Sequence, residues 1–407
     1  MKSRGQRFLA LALGASLVLA GCGGDDDGGS SDATPSTSAP AAEATAGSTD
    51  DSAAAGGDVV ATAKARLEEL KQGTSTAVPT EGPAAVADKT VWIVSCSQSI
   101  ELCSDEVNEI DKAAQAIGWT TNVVNTEFDP VVAGDAIRQA VAAKADGIIV
   151  FGFDCPLIKQ PLQEAVDAGI QTLGVVSLDC DDPALTDRTD PLFTVDMVFD
   201  GAGEVYYSNF ARVYGRDKAA IAIAATEGTA QVMTLDVPDL VTIVALTDGF
   251  EEGIAECSGC TIVENVDLTT LDQVNGVVEQ KVTTALARNP GVDTIFQSTD
   301  GLFLAGVQNA VLNSGRADDL LVVGSEGFLS NLDAIRSGSG QNIAMAFDSR
   351  WEGWASVDAM NRAFAGAEQV HGGQGYIYID AETNMPASGG WDSTIDFRAA
   401  FLQLWGK

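Results

Sequence analysis

Short apolar runs alternate with longer amphipathic segments over most of the chain beyond residue 89. Residues 141–179 and 286–327 repeat one order of features: helix end, aspartate, apolar strand, aspartate, helix, glycine turn and apolar strand. Further runs read as strands are TVWIVSC, TTNVVNT, AAIAIAA and TIVENV. Apolar runs separated by helices of ten or more residues are typical of βαβ units and parallel sheets. The pattern predicts an α/β fold with two similar doubly wound parallel-sheet (Rossmann-like) domains.

Polar residues follow the predicted strands. In open parallel sheets the ligand crevice lies beyond the carboxyl ends of the strands. The residues that this rule gathers at the two rims are 95–98, 151–154, 177–179, 226–228, 298–300, 325–327 and 347–350. Two rims that face each other predict a cleft that can close on a small molecule.

The first 21 residues have the pattern of a secretory signal peptide. Lys2, Arg4 and Arg7 precede the apolar residues 8–20, which are too few to span a bilayer as a mature helix. The tail of this run, LAGC, resembles the lipobox of bacterial lipoproteins, which implies cleavage before Cys22 and acylation of its thiol. An ordinary cleavage site with a chance cysteine is the alternative. Acyl chains on Cys22 would hold the protein on the outer face of the cytoplasmic membrane.

The stretch that follows the cysteine differs in composition from the rest. Residues 22–57 are dominated by Asp, Ser, Thr, Ala, Pro and Gly and contain no large apolar residue, which predicts a disordered tether. Val59, Ala63, Leu67 and Leu70 then recur at helical spacing, and Gly73 is a plausible end of that helix. We expect a short helical appendage and a linker over residues 58–88.

The charge of the chain excludes some partners. It contains 23 Lys and Arg against 58 Asp and Glu, for a net charge of −35, and loss of the signal would make the mature chain more negative. Nucleic acid and anionic membrane surfaces are therefore not expected as partners. The excess of acids suits high salt or a cationic partner, but a general acidic bias of the proteome would explain it as well.

Residues suited to catalysis or metal binding are scarce. His371 is the one histidine, and the chain has no GxSxG, HExxH or P-loop pattern and a single CxxC. We therefore expect no enzyme activity, no metal and no cofactor. A carboxylate pair could still perform acid–base work, but nothing in the sequence singles one out.

Cysteine usage agrees with export. Six cysteines remain after Cys22, an even number in an oxidising compartment, which predicts three disulfides. The two cysteines of CSGC, residues 257–260, would close a small loop. Cys96 and Cys103 are close in sequence, and Cys155 and Cys180 each follow a predicted strand. The resulting hypothesis pairs Cys96 with Cys103, Cys155 with Cys180, and Cys257 with Cys260, among fifteen possible connectivities.

From about residue 89 to residue 370 the chain resembles type I periplasmic binding proteins of the ribose- and galactose-binding kind. The segments that carry the resemblance are DAIRQAVAAKADGIIVFGFD, EAVDAGIQTLGVVSLD, NPGVDTIFQSTDGLFLAGVQNAVLNSGRADDLLVVGSEG and MNRAFAG. The resemblance implies a monomeric receptor that delivers a small solute to the permease of an ABC importer. It also implies two lobes joined by three hinge segments, near Thr194, Phe347 and Tyr376. The expected lobes are 89–193 with 348–375, and 194–347 with 376–407.

Ten residues are candidate ligand contacts. The resemblance places Phe151, Asp179, Thr299, Glu326 and Asp348 at or near contact positions. The strand-end rule adds Ser95, Gln98, Asp154, Asp300 and Arg350. For several of them the alternative is structural. Asp154 and Asp300 precede helices and would serve as N-caps. Ser95, Gln98, Asp179 and Glu326 would form hydrogen bonds within their loops.

The chain departs from the sugar binders of this family at two places. They have an Asn-Pro-aromatic run after the first strand, where this chain reads SQSIELCSD, and an arginine where it has Leu246. Acids that bond to hydroxyls suit a sugar or polyol, which we expect first, whereas unpaired acids would favour an amine. Arg350 would instead suit a carboxylate, as in an aromatic acid.

Two further expectations concern partners. A ligand sensor that reports to a surface signalling partner would use the same hinge, so the sequence does not separate sensing from transport. The final segment, DFRAAFLQLWGK, reads as an amphipathic helix that docks on the second domain, with a partner-binding surface as the alternative.

Overall fold

The computed structural model describes residues 51–407, with side chains from residue 58 onward except that of Val274. The expected signal peptide, the lipidation site at Cys22 and residues 22–50 of the expected tether lie outside the described residues. Helix α1 (Asp51–Gln72) comes first and ends before Gly73, whose φ of +81° lies in the left-handed region that glycine favours. None of the described helices is long and apolar enough to cross a membrane.

The first sheet has four parallel strands in the order β2-β1-β3-β4. Its elements are β1 (Thr90–Ser95), α2 (Glu101–Ala116), β2 (Thr120–Asn125), α3 (Pro130–Ala143), β3 (Gly147–Phe151), a 3-10 turn (Cys155–Leu157), α4 (Lys159–Asp167) and β4 (Gln171–Val175). All five residues of β3 are buried, as expected of a central parallel strand that is covered on both faces.

The second sheet has six strands in the order β10-β9-β8-β7-β5-β6, of which β10 alone is antiparallel. Its strands are β5 (Gln231–Asp236), β6 (Thr261–Asp267), β7 (Thr294–Gln297), β8 (Leu321–Gly324), β9 (Ile343–Phe347) and β10 (Tyr376–Ile379). The helices after β4 are α5 (Tyr207–Ala225), α6 (Val241–Ala255), α7 (Thr270–Val274), α8 (Val278–Arg288), α9 (Asp300–Leu302), a π-helical turn (Phe303–Val307), α10 (Gln308–Asn313), a 3-10 turn (Ala317–Asp319), α11 (Leu329–Ser337), α12 (Ser349–Ala365) and α13 (Phe397–Leu404).

Both sheets reverse their strand order beside the first strand, so each is doubly wound. The predicted fold class, α/β with two similar Rossmann-like parallel-sheet domains, is confirmed. We call the first sheet with its helices the first lobe and the second sheet with its helices the second lobe. The space between the carboxyl ends of the two sets of strands is the crevice.

One predicted strand is wrong. AAIAIAA, residues 219–225, forms the end of helix α5, and the strand that begins the second lobe is β5, whose sequence is QVMTLD. The segment is apolar because Ala219, Ile221 and Ala222 are completely buried, and alanine is the strongest helix former. The rim assigned to residues 226–228 therefore lies at the amino end of β5, away from the crevice.

The C-terminal helix docks on the first lobe, not on the second as expected. Phe397, Phe401 and Trp405 of this segment belong to the hydrophobic core of the first lobe. Helix α12 contacts α2, and the ring of Trp354 in α12 stacks on Trp405 with centroids 5.7 Å apart. The apolar face of α13 therefore completes the first lobe, and residues 397–407 belong to it.

Helix α1 is an integral part of the second lobe, not an appendage. Leu70 is fully buried, and the helix packs along α5 and β10. Nε and Nη2 of Arg66 both donate to the carboxylate of Asp217 at 2.7 Å, and the hydroxyl of Tyr376 donates to the same carboxylate. This bidentate pair joins α1 to the lobe with defined geometry.

The first passage between the lobes lies later in the chain than the expected position at Thr194. Val195 still forms a parallel bridge with Leu173 of β4, and Met197 and Phe199 are buried in the first core. The chain therefore leaves the first lobe between Phe199 and the start of α5. It returns after Phe347 and re-enters the second sheet at Tyr376.

Candidate functional site

Asp154 lies where the two lobes meet. It follows β3, and its carboxylate accepts a hydrogen bond from the amide of Leu178 at 2.9 Å in the first lobe. The amides of Val241 and Thr242, at the start of α6 in the second lobe, face the same carboxylate. Burial raises the pKa of Asp154 to about 6 despite these amides. Asp154 makes no N-cap bond to its own helical turn, so the N-cap alternative is wrong for it.

A second contact between the lobes joins α2 to α11. The carboxylate of Glu101 accepts a hydrogen bond from the amide of Leu329 at 3.3 Å. Tyr207 and Phe210, at the start of α5, pack against both hydrophobic cores. The lobes of this structure are therefore in contact across the crevice.

Asp300 ties the ends of β7 and β8 together. Its two carboxylate oxygens accept from the amides of Ser325 at 2.8 Å and Gly327 at 2.9 Å, and it is fully buried. The N-cap of α9 is Thr299, whose hydroxyl accepts from the amide of Gly301. The N-cap alternative is therefore wrong for Asp300 as well.

Glu326, unlike Asp300, remains partly exposed. One of its oxygens accepts from the amide of Asp300 at 2.7 Å. Burial, with the negative charge of Asp300 beside it, raises the pKa of Glu326 to about 8. A carboxyl group in this state can donate to or accept from a polar ligand.

A buried lysine lies under these two acids. Nζ of Lys218 donates to the carbonyl of Gln297 at 2.8 Å and to the hydroxyl of Ser325 at 2.6 Å. Burial lowers the pKa of Lys218 to about 8, while Glu326 and Asp300 favour its charged form. Sequence reasoning missed Lys218; the one signal was a lysine inside the apolar end of a helix, DKAAIAIAA.

The first-lobe candidates serve mainly the loops in which they lie. The carboxylate of Asp179 accepts from the amides of Cys180, Leu192 and Phe193. The hydroxyl of Ser95 accepts from Nε2 of Gln98 at 2.7 Å, and Phe151 is completely buried. Of these four residues, Gln98 and Asp179 keep partial exposure.

Asp348 and Arg350 are held by other side chains. The carboxylate of Asp348 accepts from Ser75, Trp391 and Gly375, and 4% of the residue is exposed. Nη2 of Arg350 pairs with Asp105 at 2.6 Å. Both groups are already matched, so the geometry does not favour either as a free ligand contact.

The three expected disulfides are present. Cys96 pairs with Cys103, Cys155 with Cys180, and Cys257 with Cys260. The first two bridges cross-link loops at the crevice end of the first lobe, since they follow β1, β3 and β4. The third bridge is remote from the crevice, between the end of α6 and the start of β6.

A pair of carboxyl groups is buried in the first lobe between α2 and α12. Glu106 and Glu352 are both 0% exposed, and their side chains contact each other. Burial raises the pKa of Glu352 to about 7 and that of Glu106 well above its ordinary value. Two adjacent buried carboxyl groups cannot both ionise at low cost, so the pair retains a proton near neutral pH.

No curated protein sequence matches the chain. Among solved structures, a solute-binding protein of an ABC transporter from Agrobacterium vitis, bound with α-D-tagatopyranose, matches with a TM-score of 0.59 and 20% identity. That match covers 72% of this chain and 95% of the other. A sugar ABC transporter protein from Yersinia enterocolitica matches with a TM-score of 0.62 and 17% identity, over 82% of this chain and 99% of the other.

A third solved structure is an ABC transporter solute-binding protein from Bacillus halodurans with bound myo-inositol. It matches with a TM-score of 0.59 and 16% identity, over 73% of this chain and 96% of the other. At these identities the likeness shows a common fold. The family model described as periplasmic binding protein domain matches residues 91–368, which is more than half of the chain. The chain therefore belongs to the periplasmic binding protein family, whose members bind solutes and are not enzymes.

Proposed function

We propose that the chain is the substrate-binding receptor of an ABC importer and captures a small polar solute in the crevice by hinge closure. One observation carries the proposal: polar groups of the two lobes meet across the crevice, where the carboxylate of Glu101 accepts from the amide of Leu329 and that of Asp154 faces the amides that begin α6. A polar contact of this kind between the lobes is available only when they approach each other. A solute that bonds to groups on both lobes would favour the closed state by its differential affinity.

A sugar or polyol is the solute that we favour. The solved structures with this fold include proteins bound to tagatose, arabinose, allose and myo-inositol. Carboxyl groups form strong hydrogen bonds to hydroxyl groups, and Glu326 presents a partly exposed one from the second lobe. Thr299 after β7 and Gln98 after β1 are partly exposed polar side chains at the crevice, one in each lobe.

A cationic solute such as an amine is the second candidate. Leu246, which stands where sugar binders have an arginine, is buried in the core of the second lobe. Arg350 is paired with Asp105, and Lys218 is bonded to Gln297 and Ser325. Neither of these two cations is therefore free to bind an anionic ligand, which favours a cation among charged solutes.

We further propose that the protein is lipid-anchored through Cys22 on the outer face of the membrane. Cells that express the chain should incorporate a clickable palmitate analogue into it. The Cys22→Ala variant should incorporate none and should appear in the medium. Equal labelling of both forms would contradict the anchor.

Thermal unfolding of the full chain against a panel of sugars, polyols, amines, amino acids and aromatic acids tests the ligand class. A ligand at a hundredfold over its dissociation constant adds about 2.7 kcal/mol to the free energy of unfolding, which raises Tm by several degrees. We expect a sugar or polyol to raise Tm and Glu326→Gln to abolish that shift. Asp146→Asn, at the amino end of β3, is the matched control and should keep the shift.

The other outcomes separate the alternatives. If only amines raise Tm, the solute is a cation and not a sugar. If only aromatic acids raise Tm, neither a sugar nor an amine is the solute. Uptake of the radiolabelled hit by cells, lost on deletion of the gene, would distinguish import from sensing. Binding without uptake would overturn the importer proposal.

A further inference from the structure

The lobes are joined by more passages of the chain than the three that were expected. The fourth is residues 73–88, here called the N-terminal strap, which follow α1. The amides of Thr74 and Thr76 donate to the carbonyls of Tyr376 and Gly373 at 2.9 and 2.8 Å. Farther along, the amide of Ala85 donates to the carbonyl of Trp405 in the first lobe at 3.0 Å.

The fifth passage is residues 380–396, here called the C-terminal strap, which run from β10 to α13. The amide of Trp391 donates to the carbonyl of Gly327 in the second lobe at 2.8 Å. A Cβ on Gly327, whose φ is +79°, would lie 3.1 Å from the Cβ of Trp391. Asp392 then pairs with Arg398 of α13 at 3.1 Å. This strap therefore holds to both lobes.

Both straps converge on Asp348, which lies between β9 and α12. Its Oδ2 accepts from the hydroxyl of Ser75 in the N-terminal strap at 2.5 Å. Its Oδ1 accepts from Nε1 of Trp391 in the C-terminal strap at 2.8 Å. Oδ2 also accepts from the amide of Gly375, at 3.2 Å, in the passage that leads to β10.

One carboxylate thus joins four of the five passages, counting the one in which Asp348 itself lies. Hinge rotation must move these passages relative to one another, because each connects elements on different lobes. Asp348 is 4% exposed, and a buried acceptor that loses its donors is costly, so these hydrogen bonds resist any rotation that separates them. In this structure the bonds are formed while the lobes are in contact.

We propose that Asp348 is a positioning residue that clasps the two straps to the hinge and stabilises the arrangement in which the lobes touch. It acts through Ser75, Trp391 and Gly375 and not through contact with the solute. This role replaces the ligand contact expected for it. The proposal concerns the ligand-free equilibrium, so it can fail or succeed independently of the proposed function.

The test measures the distance between the lobes in the ligand-free full chain. Nitroxides are attached through a ketone-bearing amino acid at Val132 and Leu304, exposed positions on the first and second lobes, which leaves the cysteines untouched. Pulsed electron spin resonance then gives the distance distribution. Ser75→Ala and Trp391→Phe each remove one bond of the clasp, and each should raise the population with separated lobes about five-fold.

Trp405→Phe is the matched control. It removes an equivalent bond, from Nε1 of Trp405 to the carboxylate of Asp358 at 2.8 Å, but within the first lobe. Its distance distribution should equal that of the wild type. Distributions unchanged by Ser75→Ala and Trp391→Phe, or shifted equally by Trp405→Phe, would overturn the proposal.

Asp348→Ala removes the acceptor of all three donors and would disturb folding as well as the hinge. Asp348→Asn keeps only one oxygen acceptor and should raise the population with separated lobes above that of the wild type. An Asp348→Asn distribution identical to that of the wild type would also count against the clasp.

Discussion

The carboxyl groups of Glu106 and Glu352 touch in the core of the first lobe, where both residues are fully buried. Their pKa values are raised, so the native state binds more protons than the unfolded chain between the unfolded pKa and the folded one. Stability contributed by the protonated pair is fully present below about pH 4.5 and is lost as pH rises toward about 7.

Glu352→Gln should therefore remove part of the stability that the wild type loses as pH rises. We expect the free energy of unfolding of the variant, measured by urea at several pH values, to fall less than that of the wild type between pH 5 and pH 7. Glu109→Gln is a control for which we expect the opposite dependence of stability on pH. Although burial raises the pKa of Glu109, bonds from Arg398, Lys112 and Trp354 lower it, so its contribution is lost as pH falls. Identical pH profiles for Glu352→Gln and wild type would contradict this prediction.

Removal of the buried lysine should be strongly destabilising. Lys218→Met leaves the buried carboxylate of Asp300 without its compensating charge, and removing one partner of a buried charged pair costs about 3–5 kcal/mol. The measurement is denaturant unfolding at pH 7. Lys281→Met is the control, because Lys281 is 39% exposed at its pair with Asp272 and should cost about 1 kcal/mol or less. Similar costs for both would mean that Lys218 is not a compensating charge.

Helix α1 should contribute to the stability of the second lobe. Leu70→Ala opens a cavity beside α5 and should cost about 2–5 kcal/mol in the free energy of unfolding. Leu304→Ala, on a side chain that is 50% exposed, should change it by about 0.5 kcal/mol or less. If Leu70→Ala cost as little free energy as the control, α1 would not contribute to the stability of the second lobe and would be an appendage.

The disulfides should differ in their contributions. Cys155→Ser with Cys180→Ser opens a loop of 25 residues and should cost about 3 kcal/mol, whereas Cys257→Ser with Cys260→Ser opens a loop of three. We expect a larger fall in Tm for the first double variant by calorimetry. It should also weaken binding of any ligand found, because its bridge joins two crevice loops. Equal effects on binding would contradict that link.

The fold could be predicted because its determinants are local and repeated. Buried parallel strands need continuous apolar runs. Residues 141–179 and 286–327 show such runs in alternation with helical segments. AAIAIAA was misread because an apolar run of seven residues fits either a buried strand or a buried helix. The helix was favoured by packing that the sequence does not display.

The candidate site was predicted less completely, since it depends on which distant segments meet. Asp154 and Glu326 lie at strand ends, as the rule for parallel sheets required. The rule could not show that Asp348 is engaged by Ser75 and Trp391, residues 273 and 43 positions away. Lys218 escaped notice for the same reason, because its partners come from β7 and the loop after β8.

The two disulfides at the crevice end of the first lobe make the two sides of the crevice unequal. Cross-linked loops have little conformational entropy left to lose when a solute binds. The entropic cost of ordering loops around the solute therefore falls mainly on the second lobe. Affinity for a solute would then depend on the redox state of the surroundings without requiring contact between a cysteine and the solute. A chain that folded in a reducing compartment would keep its two sheets but would bind more weakly than one that folded outside the membrane.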